Sequence, residues 1–219
     1  IEQYVHALTH ELKSPLAAIR GAAEILREGP PPAVIAQFTD NILVQNARMQ
    51  ALVEKLLAQA RLENRVEIVR TPLALAALFA RLREERSVML NARQIILRTD
   101  DVRLSVDGDA ELLHQALGNL LDNAIDFTPP GGEITLSAQA HQGAVTLRVL
   151  DSGSGIPDFA LARIFERFYS LPRDNGQKSS GLGLAFVQEV ARLHQGDIRL
   201  RNREEGGTEA ILTLHRPFT

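Results

Sequence analysis

His10 and Glu11 form a histidine–carboxylate pair within the first amphipathic stretch of the chain. Apolar residues recur there three and four positions apart, as on one face of a helix: Val5, Leu8, Leu12, Leu16, Ile19, Ala23 and Leu26. At about 100° per residue, the centre of this stripe lies opposite His10. The outward face shared with His10 carries Ser14, Ala17, Gly21 and Glu24. We therefore expect an exposed imidazole beside a carboxylate, which suits nucleophilic chemistry better than packing.

A second polar set, Asn119, Asn123 and Asp126, recurs at helical spacing in the middle of the chain. Asparagine is a poor helix former, so two of them, one turn apart beside a core-facing leucine stripe, need a reason. An amide oxygen is a hard, neutral ligand for Mg²⁺ that also holds phosphate oxygens and water. The alternative is ordinary polarity of a helix surface.

The segment Asp151-Ser152-Gly153-Ser154-Gly155-Ile156 directly follows a predicted strand that ends at Leu150. A carboxylate at a strand end can accept a hydrogen bond from an exocyclic amine such as that of adenine. The two glycines allow a ligand to approach the backbone closely. The pattern is neither the dinucleotide-binding fingerprint nor a P-loop, and many such segments are only turns.

A glycine-rich segment, Ser179-Ser180-Gly181-Leu182-Gly183-Leu184, opens a predicted helix. Backbone N–H groups at the start of a helix bind phosphate well. The preceding polar stretch, from Leu171 to Ser180, is typical of a mobile lid. A capping turn is the alternative, although capping seldom needs two glycines at a helix start.

Two long helices are predicted to carry the first of these features. The first runs from Ile1 to Arg27 and ends at Gly29-Pro30-Pro31-Pro32, with Pro15 expected to bend it beside His10. The second carries a heptad-like seam: Ile35, Phe38, Ile42, Gln45, Met49, Leu52 and Leu56. An isolated hairpin of this kind leaves much apolar surface wet, so a second copy completing a four-helix bundle is expected. The alternative is packing against the rest of the same chain.

The pattern changes to mixed helix and strand after a boundary near Asn64–Thr71. The first predicted elements are a helix at Leu73–Asn91, strands at Gln94–Arg98 and Val102–Val106, and a helix that is capped by Asp109 and runs to Phe127. Two strands follow, at Ile134–Ala140 and Ala144–Leu150, and a turn at Gln142-Gly143 joins them. The last elements are a short helix at Pro157–Phe165, a helix at Leu182–His194 and two final strands. Strands with helices on one face form an α/β sandwich.

Composition sets broad limits on the partners and the compartment. The chain has 219 residues, a formal net charge of −3 and no cysteine. The charge favours neither nucleic acid nor an anionic membrane as a partner, and the lack of cysteine excludes disulfides and thiolate chemistry. No stretch approaches the ~20 apolar residues of a membrane span.

Because the chain begins at Ile1 inside an amphipathic pattern, we expect a fragment of a longer protein, with a membrane or sensor region missing.

The order and spacing of these motifs resemble the sensor histidine kinases of two-component systems over essentially the whole chain. The matching motifs are a histidine box (Thr9-His10-Glu11-Leu12-Lys13-Ser14-Pro15-Leu16), an asparagine box (Asn119-Leu120-Leu121-Asp122-Asn123-Ala124), Asp151-x-Gly-x-Gly, a phenylalanine box (Ile164-Phe165-Glu166-Arg167-Phe168-Tyr169), Gly181-Leu182-Gly183-Leu184 and Gly206-Gly207-Thr208.

The resemblance implies an α+β protein of two domains. Residues 1–64 would form a helical-hairpin domain for dimerisation and histidine phosphotransfer, which becomes a four-helix bundle in the homodimer. Residues 65–219 would form an ATP-binding α/β sandwich of the Bergerat type, shared with DNA gyrase. The chain would be the cytoplasmic portion of an inner-membrane sensor protein, attached to the membrane only through the missing N-terminal region.

The resemblance also implies roles for single residues. His10 would attack the γ-phosphate of ATP as a neutral imidazole, with a reference pKa near ~6.5. Glu11 would orient the ring or take its proton. The phosphoryl group would pass to an aspartate in the receiver domain of a response regulator, which docks beside Ala17 and Gly21. Ser14 would orient water for dephosphorylating the regulator.

In the ATP-binding domain, Asn123 would ligate Mg²⁺ with support from Asn119, and Asp151 would read adenine. The nucleotide-binding set implied by the family comprises Asn119, Asn123, Asp126, Phe127, Asp151, Gly153, Gly155, Ile156, Tyr169, Lys178, Ser179, Ser180, Gly181, Leu182, Gly183, Leu184 and Thr208. Two positions depart from the family pattern, since Asp126 replaces a usual lysine and Ser170 a common arginine. Lys178 or Arg173 would compensate for the lost positive charge.

Three other functions are compatible with parts of the sequence. A gyrase-like or chaperone-like ATP hydrolase needs a water-activating carboxylate four residues before the metal-binding asparagine, where this chain has Asn119. A dimeric scaffold that only binds nucleotide would have no use for His10-Glu11. A zinc site at His6 and His10 lacks further obvious ligands.

Overall fold

The computed structural model describes residues 2–63, 68–100, 102–171 and 179–215. The chain divides into two compact units, Ile1–Arg61 and Leu62–Thr219. Helices α1 (Glu2–Arg27) and α2 (Pro32–Glu63) make up the first unit almost entirely. Both predicted long helices are therefore confirmed, and the break between them falls at Gly29, which has a φ of 69°.

The apolar stripe of α1 is only partly covered within one chain. Pro15 and Ala22 are buried, whereas Leu16, predicted to lie on the covered stripe, is 51% exposed. On α2, Leu52 is buried, while Leu43 and several other apolar side chains are open to solvent. Two helices bury one shared face and leave other apolar surfaces free, so the exposure of Leu16 agrees with the expectation that an isolated hairpin leaves apolar surface open to water.

The described residues of the second unit form two sheets and four helices of its own. Its elements are β1 (Thr71–Ala74), α3 (Leu75–Ala92), β2 (Ile96–Thr99), β3 (Ser105–Gly108), α4 (Ala110–Phe127), β4 (Glu133–His141), β5 (Ala144–Asp151), α5 (Asp158–Leu161), α6 (Gly183–Leu193), β6 (Asp197–Asn202) and β7 (Thr208–His215). Strands β1 and β3 form an antiparallel pair. The other five described strands lie in the order β2-β4-β5-β7-β6, in which β2 and β4 are parallel and the remaining neighbours are antiparallel.

Alternating burial along the central strands explains the layered packing. Strand β5 alternates buried and half-buried residues throughout, and its inward-facing Val145, Leu147 and Val149 are buried on the side of the sheet that contacts α4. Asp109 caps α4 as predicted, because its carboxylate accepts the Leu112 N–H at 3.1 Å. The predicted α/β sandwich is confirmed.

Two details differ from the predictions for this unit. Thr71–Ala74 forms a strand that the sequence analysis did not find, so α3 begins at Leu75 rather than Leu73. The strand predicted at Val102–Val106 lies at Ser105–Gly108. Both segments are short and pair with each other, so their strand character comes from long-range pairing and not from local periodicity. The predicted turn is present, with positive φ at Gln142 and Gly143.

His194 joins the ends of two helices in the core of this unit. Its ring is 1% exposed; Nδ1 donates to the Val190 carbonyl at 2.8 Å, and Nε2 accepts the Asp109 N–H at 3.0 Å. These partners require a neutral ring with its proton on Nδ1. Burial lowers the pKa of His194, against a smaller raising effect of the hydrogen bond to Val190.

Because the folded state resists protonation of His194, the unfolded state takes up a proton first as the pH falls through ~6.5. The free energy of unfolding should therefore decrease between neutral and mildly acidic pH. His194→Ala should cost about 2 kcal/mol at neutral pH, because it leaves the Asp109 N–H unpaired, and should flatten the acid dependence. Urea denaturation followed by circular dichroism measures both effects. An equally steep acid dependence in the variant would contradict this account.

Candidate functional site

A row of apolar side chains crosses three neighbouring strands and forms the floor of a pocket. Val149 on β5 lies opposite Ala210 on β7, which lies opposite Leu200 on β6. All three line one pocket, whose cavity volume is about 100 Å³. The small Ala210 at the centre leaves room for a flat ring.

Asp151 stands at the edge of this floor, two residues beyond Val149 at the end of β5. The residue is 6% exposed, and its Oδ1 accepts the backbone N–H of Gly153 at 2.8 Å and of Thr208 at 3.0 Å. Burial raises its pKa above the ordinary aspartate value, although both hydrogen bonds and nearby Arg203 act in the opposite direction. The Asp151 carboxylate is therefore a hydrogen-bond acceptor that is shielded from water and held in one orientation at the pocket wall.

The start of β7 reaches Asp151 because residue 207 is a glycine. A Cβ at Gly207 would lie 2.0 Å from the Asp151 carbonyl oxygen, and its φ is 85°. Arg203 reinforces the contact by donating through Nη1 to that carbonyl oxygen at 2.7 Å. Any side chain at position 207 would push Thr208 away from the carboxylate.

The loop after Asp151 is held by Asn202 on β6. Asn202 accepts the Ile156 N–H at 2.7 Å and donates to the Ile156 carbonyl at 2.8 Å. A Cβ at Gly155 would approach the Asn202 Oδ1 to 3.0 Å. Asn202 was not among the predicted site residues, and nothing in its local sequence distinguishes it from an ordinary strand end.

Helix α4 forms a second wall of the pocket. Asn123 and Phe127, one turn apart, line it together with apolar residues of the same helix. Asn119 does not line the pocket, but lies beside the start of α6, where a Cβ at Gly183 would be 3.4 Å from its Oδ1. The amide stripe of α4 therefore faces the glycine-rich start of α6, as expected for a phosphate-binding region.

The phenylalanine-box segment and the glycine-rich segment are joined at their ends. The Phe168 N–H donates to the Gly181 carbonyl at 2.9 Å, and the Ser179 N–H donates to the Ser170 Oγ at 3.1 Å. The two serine hydroxyls are also 2.9 Å apart. Tyr169 lines the pocket, and the Arg163 guanidinium lies 4.5 Å from its ring centroid.

Most of the predicted nucleotide-binding residues meet at this pocket. Those that line it are Asn123, Phe127, Asp151, Gly155, Ile156, Tyr169, Ser179, Gly181, Gly183, Leu184 and Thr208. Those that lie outside its lining are Asn119, Asp126, Gly153, Ser180 and Leu182. Leu182 belongs to the core, with 2% exposure, and Gly153 supports Asp151 through its N–H. Lys178 and Arg173 fall outside the described residues.

Sequence reasoning missed part of the lining. The additional residues are Val149, Ile164, Ser170, Leu171, Leu200 and Ala210, with Leu120 and Ala124 of the α4 apolar stripe. The three strand residues could have been recognised as inward-facing from strand alternation, but their register across β5, β7 and β6 depends on non-local pairing.

The proposed nucleophile belongs to the other compact unit. His10 lies in α1, although its side chain and that of Glu11 fall outside the described part. Ser14 and Ala17, one turn and two turns further on, are exposed as expected for the outward face. A Cβ at Gly21 would meet nothing within 4 Å, so this face is open.

Within the described residues, no three histidine, cysteine, aspartate or glutamate side chains are grouped as a metal site. The same part of the chain contains no helix that combines the length and apolar character of a membrane span.

Comparisons with known families match both units. Residues 1–65 match the His Kinase A phospho-acceptor domain. Residues 108–217 match the family described as histidine kinase-, DNA gyrase B- and HSP90-like ATPase. The two matches occur in the order that the motifs predicted.

Two curated relatives align over nearly the entire chain. It is 70% identical over 219 residues to the sensor protein CreC of Escherichia coli, covering 100% of this chain and 46% of the relative. It is 35% identical over 217 residues to the probable sensor histidine kinase TcrY of Mycobacterium tuberculosis, covering 98% of this chain and 46% of the relative. The chain thus spans about half the length of these relatives.

Solved structures show the same fold. The histidine kinase AdeS of Acinetobacter baumannii superposes with a TM-score of 0.75 at 21% identity, over 95% of this chain and 98% of that one. The histidine kinase ThkA, in complex with the response regulator protein TrrA, gives 0.79 at 22% identity, over 98% and 61%. The mycobacterial sensor histidine kinase MprB gives 0.58 at 31% identity, over 68% and 100%. Since the motifs, the pocket and both family matches agree, the chain belongs to the two-component sensor histidine kinases.

Proposed function

We propose that this chain is the catalytic core of a sensor kinase that phosphorylates His10 with ATP and passes the phosphoryl group to a response-regulator aspartate. The observation that carries the proposal is the pocket at Asp151. It gathers residues from α4, β5, β7 and the glycine-rich start of α6, in a chain whose other unit presents His10 on a long helix.

The pocket suits the adenine end of ATP at one side and the phosphates at the other. Asp151 would accept the exocyclic amine of adenine while the ring lies on the apolar floor of Val149, Ala210 and Leu200. From there the phosphates would extend toward Asn123 and the backbone N–H groups near Gly181 and Gly183.

The amide groups of α4 fit a magnesium ion that accompanies the phosphates. Asn123 would hold it at the pocket wall, with Asn119 supporting it or the phosphates from one turn away. Neutral amide oxygens can share Mg²⁺ with phosphate oxygens without adding negative charge. When bound, the ion would neutralise charge on the phosphates during transfer.

At the helical unit, a neutral His10 nitrogen would attack the γ-phosphorus. A nitrogen–phosphorus bond forms, the bond from that phosphorus to the β–γ bridging oxygen breaks, and ADP leaves. Glu11 would orient the ring or take its proton. The phosphoryl group would then pass to a receiver-domain aspartate docked on the open face beside Ala17 and Gly21. Ser14 would orient water for a phosphatase reaction on the regulator.

The exposed apolar surface of the hairpin supports a homodimer. Leu43 is 60% exposed and Leu57 is 52% exposed, and these residues lie on one side of α2 at two-heptad spacing. A second hairpin packed there would complete a four-helix bundle and remove this surface from water. We place the domain boundary at residues 64 and 65, close to the division between the two compact units.

Two residues that differ from the family pattern affect the expected affinity for ATP. Asp126, in place of a lysine, and Ser170, in place of an arginine, both remove positive charge near the phosphates. Ser170 instead joins Ser179 by hydrogen bonds. We further propose that the chain is the cytoplasmic portion of an inner-membrane sensor, with the membrane contacted only through a preceding region and with no nucleic-acid partner.

His10→Gln should abolish incorporation of label from γ-labelled ATP and Mg²⁺, while nucleotide binding persists. In the unaltered chain the label should be acid-labile and alkali-stable, as expected for a phosphoramidate. Label that remains in the variant would refute His10 as the acceptor. Absence of label in the unaltered chain, with ATP still bound, would favour the nucleotide-binding scaffold.

Asp151→Asn should weaken ATP binding at least about tenfold, because the amide NH₂ would oppose the adenine amine, both being donors. The variant should not be less stable, because burial raises the pKa of Asp151, so burying its charge costs folding free energy that a neutral amide avoids. Titration with a fluorescent ATP analogue and urea denaturation test the two parts. Tight binding by a stable variant would contradict the adenine role.

Leu43→Arg should shift the chain from dimer to monomer, because a charge at this exposed apolar position opposes burial in a bundle. Gln37→Arg is the matched control, since Gln37 is an exposed polar residue on another side of α2. Sedimentation equilibrium gives the mass of each. Equal dimer populations in both variants would place the interface elsewhere.

A further inference from the structure

A charged pair joins helix α3 to the middle of helix α4. Arg86 Nε donates to Asp122 Oδ1 at 2.8 Å, and Arg86 Nη2 donates to Asp122 Oδ2 at 3.3 Å. Two parallel hydrogen bonds of this kind fix the orientation of both side chains. The Arg86 side chain is 13% exposed and the Asp122 side chain is 47% exposed. The cationic member of the pair is therefore largely shielded from solvent.

The Arg86 guanidinium reaches α4 because residue 118 is a glycine. A Cβ at Gly118 would lie 2.6 Å from Arg86 Nη2 and 3.8 Å from Leu82. Gly118 lies one turn before Asp122 on α4, and glycine is unfavourable in the interior of a helix. A side chain at this position would displace the guanidinium from the carboxylate. The pair is thus built into the contact between α3 and α4.

Asp122 adjoins the residues of α4 that would hold the phosphates and the magnesium ion. It directly precedes Asn123, which lines the nucleotide pocket. It follows Asn119 by three positions, which places the two Cβ atoms roughly 5–6 Å apart. Asn119 in turn lies beside Gly183 at the start of α6. Asp122 does not line the pocket, and its carboxylate contacts Arg86 instead.

A carboxylate without a cation at this position would oppose nucleotide binding. Like charges repel appreciably within one Debye length, which is ~8–10 Å at physiological ionic strength. The distances along α4 place Asp122 within that range of the proposed phosphate site. A free carboxylate is also a good Mg²⁺ ligand, so it would draw the ion away from the phosphates.

Glu85 also contacts Arg86, but it has other partners. Arg86 Nη1 donates to Glu85 Oε2 at 3.2 Å. The same carboxylate accepts Arg81 Nε at 2.9 Å and lies 2.9 Å from His114 Nε2. The shorter and paired hydrogen bonds of Arg86 go to Asp122, so the charge of Arg86 is directed mainly at that residue.

We propose that Arg86 is a positioning residue for the phosphate end of the nucleotide site and that it acts through Asp122. By holding that carboxylate against α3 and balancing its charge, Arg86 leaves the neutral amides of Asn119 and Asn123 to face the phosphates and Mg²⁺. The inference rests on the proposed ATP site and adds to it a residue of α3 that does not line the pocket. The alternative is that the pair only joins the two helices.

The first test compares two ligands that differ in their phosphates. Arg86→Gln should weaken MgATP binding about tenfold, and adenosine, which has no phosphate, should bind as it does to the unaltered chain. Arg81→Gln is the matched control, because Arg81 lies on the same helix and pairs with Glu85; it should change neither affinity. Displacement of a fluorescent ATP analogue measures both ligands. Unchanged MgATP affinity in Arg86→Gln, or equal weakening of both ligands, would overturn the proposal.

A double-mutant cycle separates charge balance from the joining of helices. Adding Asp122→Asn to Arg86→Gln removes the unbalanced carboxylate and should restore MgATP affinity to within about threefold of the unaltered chain. Arg86→Lys keeps the positive charge and should lose less affinity than Arg86→Gln. If the double variant stays as weak as Arg86→Gln, the pair acts only by joining α3 to α4 and the proposal is overturned.

Autophosphorylation kinetics give an independent readout. Because Arg86 acts on binding, Arg86→Gln should raise the KM for MgATP and leave kcat near that of the unaltered chain. A lowered kcat with unchanged KM would overturn the proposal. Failure of the proposed ATP site has a different signature, in which the unaltered chain binds neither MgATP nor adenosine, and that result would overturn both proposals.

Discussion

The pocket depends on the buried carboxylate of Asp151, which two backbone N–H groups hold in a fixed position. Asp151 ends the central strand, and its Oδ1 accepts N–H groups from its own loop and from the start of β7. Burying this group is costly, so its position is set by the two segments that supply donors. Those segments are also walls of the pocket, and the carboxylate therefore organises the site that would use it.

The surrounding architecture limits how far these walls can move. Gly207 allows β7 to lie against the Asp151 carbonyl, and Asn202 fixes the loop at Ile156. At the far ends of the two helices that frame the pocket, His194 connects the last turn of α6 to the N-cap of α4. The amide stripe of α4 and the glycine-rich start of α6 are thus positioned by one core.

The helical unit obeys a different constraint. Its two helices bury one face around Ala22 and Leu52 and leave Leu16, Leu43 and Leu57 exposed, so its free energy depends on apolar surface that one chain does not cover. The ATP-binding unit has a continuous core of its own. The ATP-binding unit therefore has its own hydrophobic core, whereas the helical unit has exposed apolar surface that a second copy could cover.

Local sequence determined the helices, the cap at Asp109 and the turn at Gln142, because periodicity, capping and glycine usage act over a few residues. The resemblance of the motifs to a known family predicted that they meet in one nucleotide pocket. It did not determine the pairing of β1 with β3, the register that places Ala210 between Val149 and Leu200, or the attachment of Asn202 to Ile156. These depend on residues far apart in the chain that meet only when the sheet forms. For the same reason, the raised pKa of Asp151 follows from tertiary structure alone, because burial is a property of the folded chain.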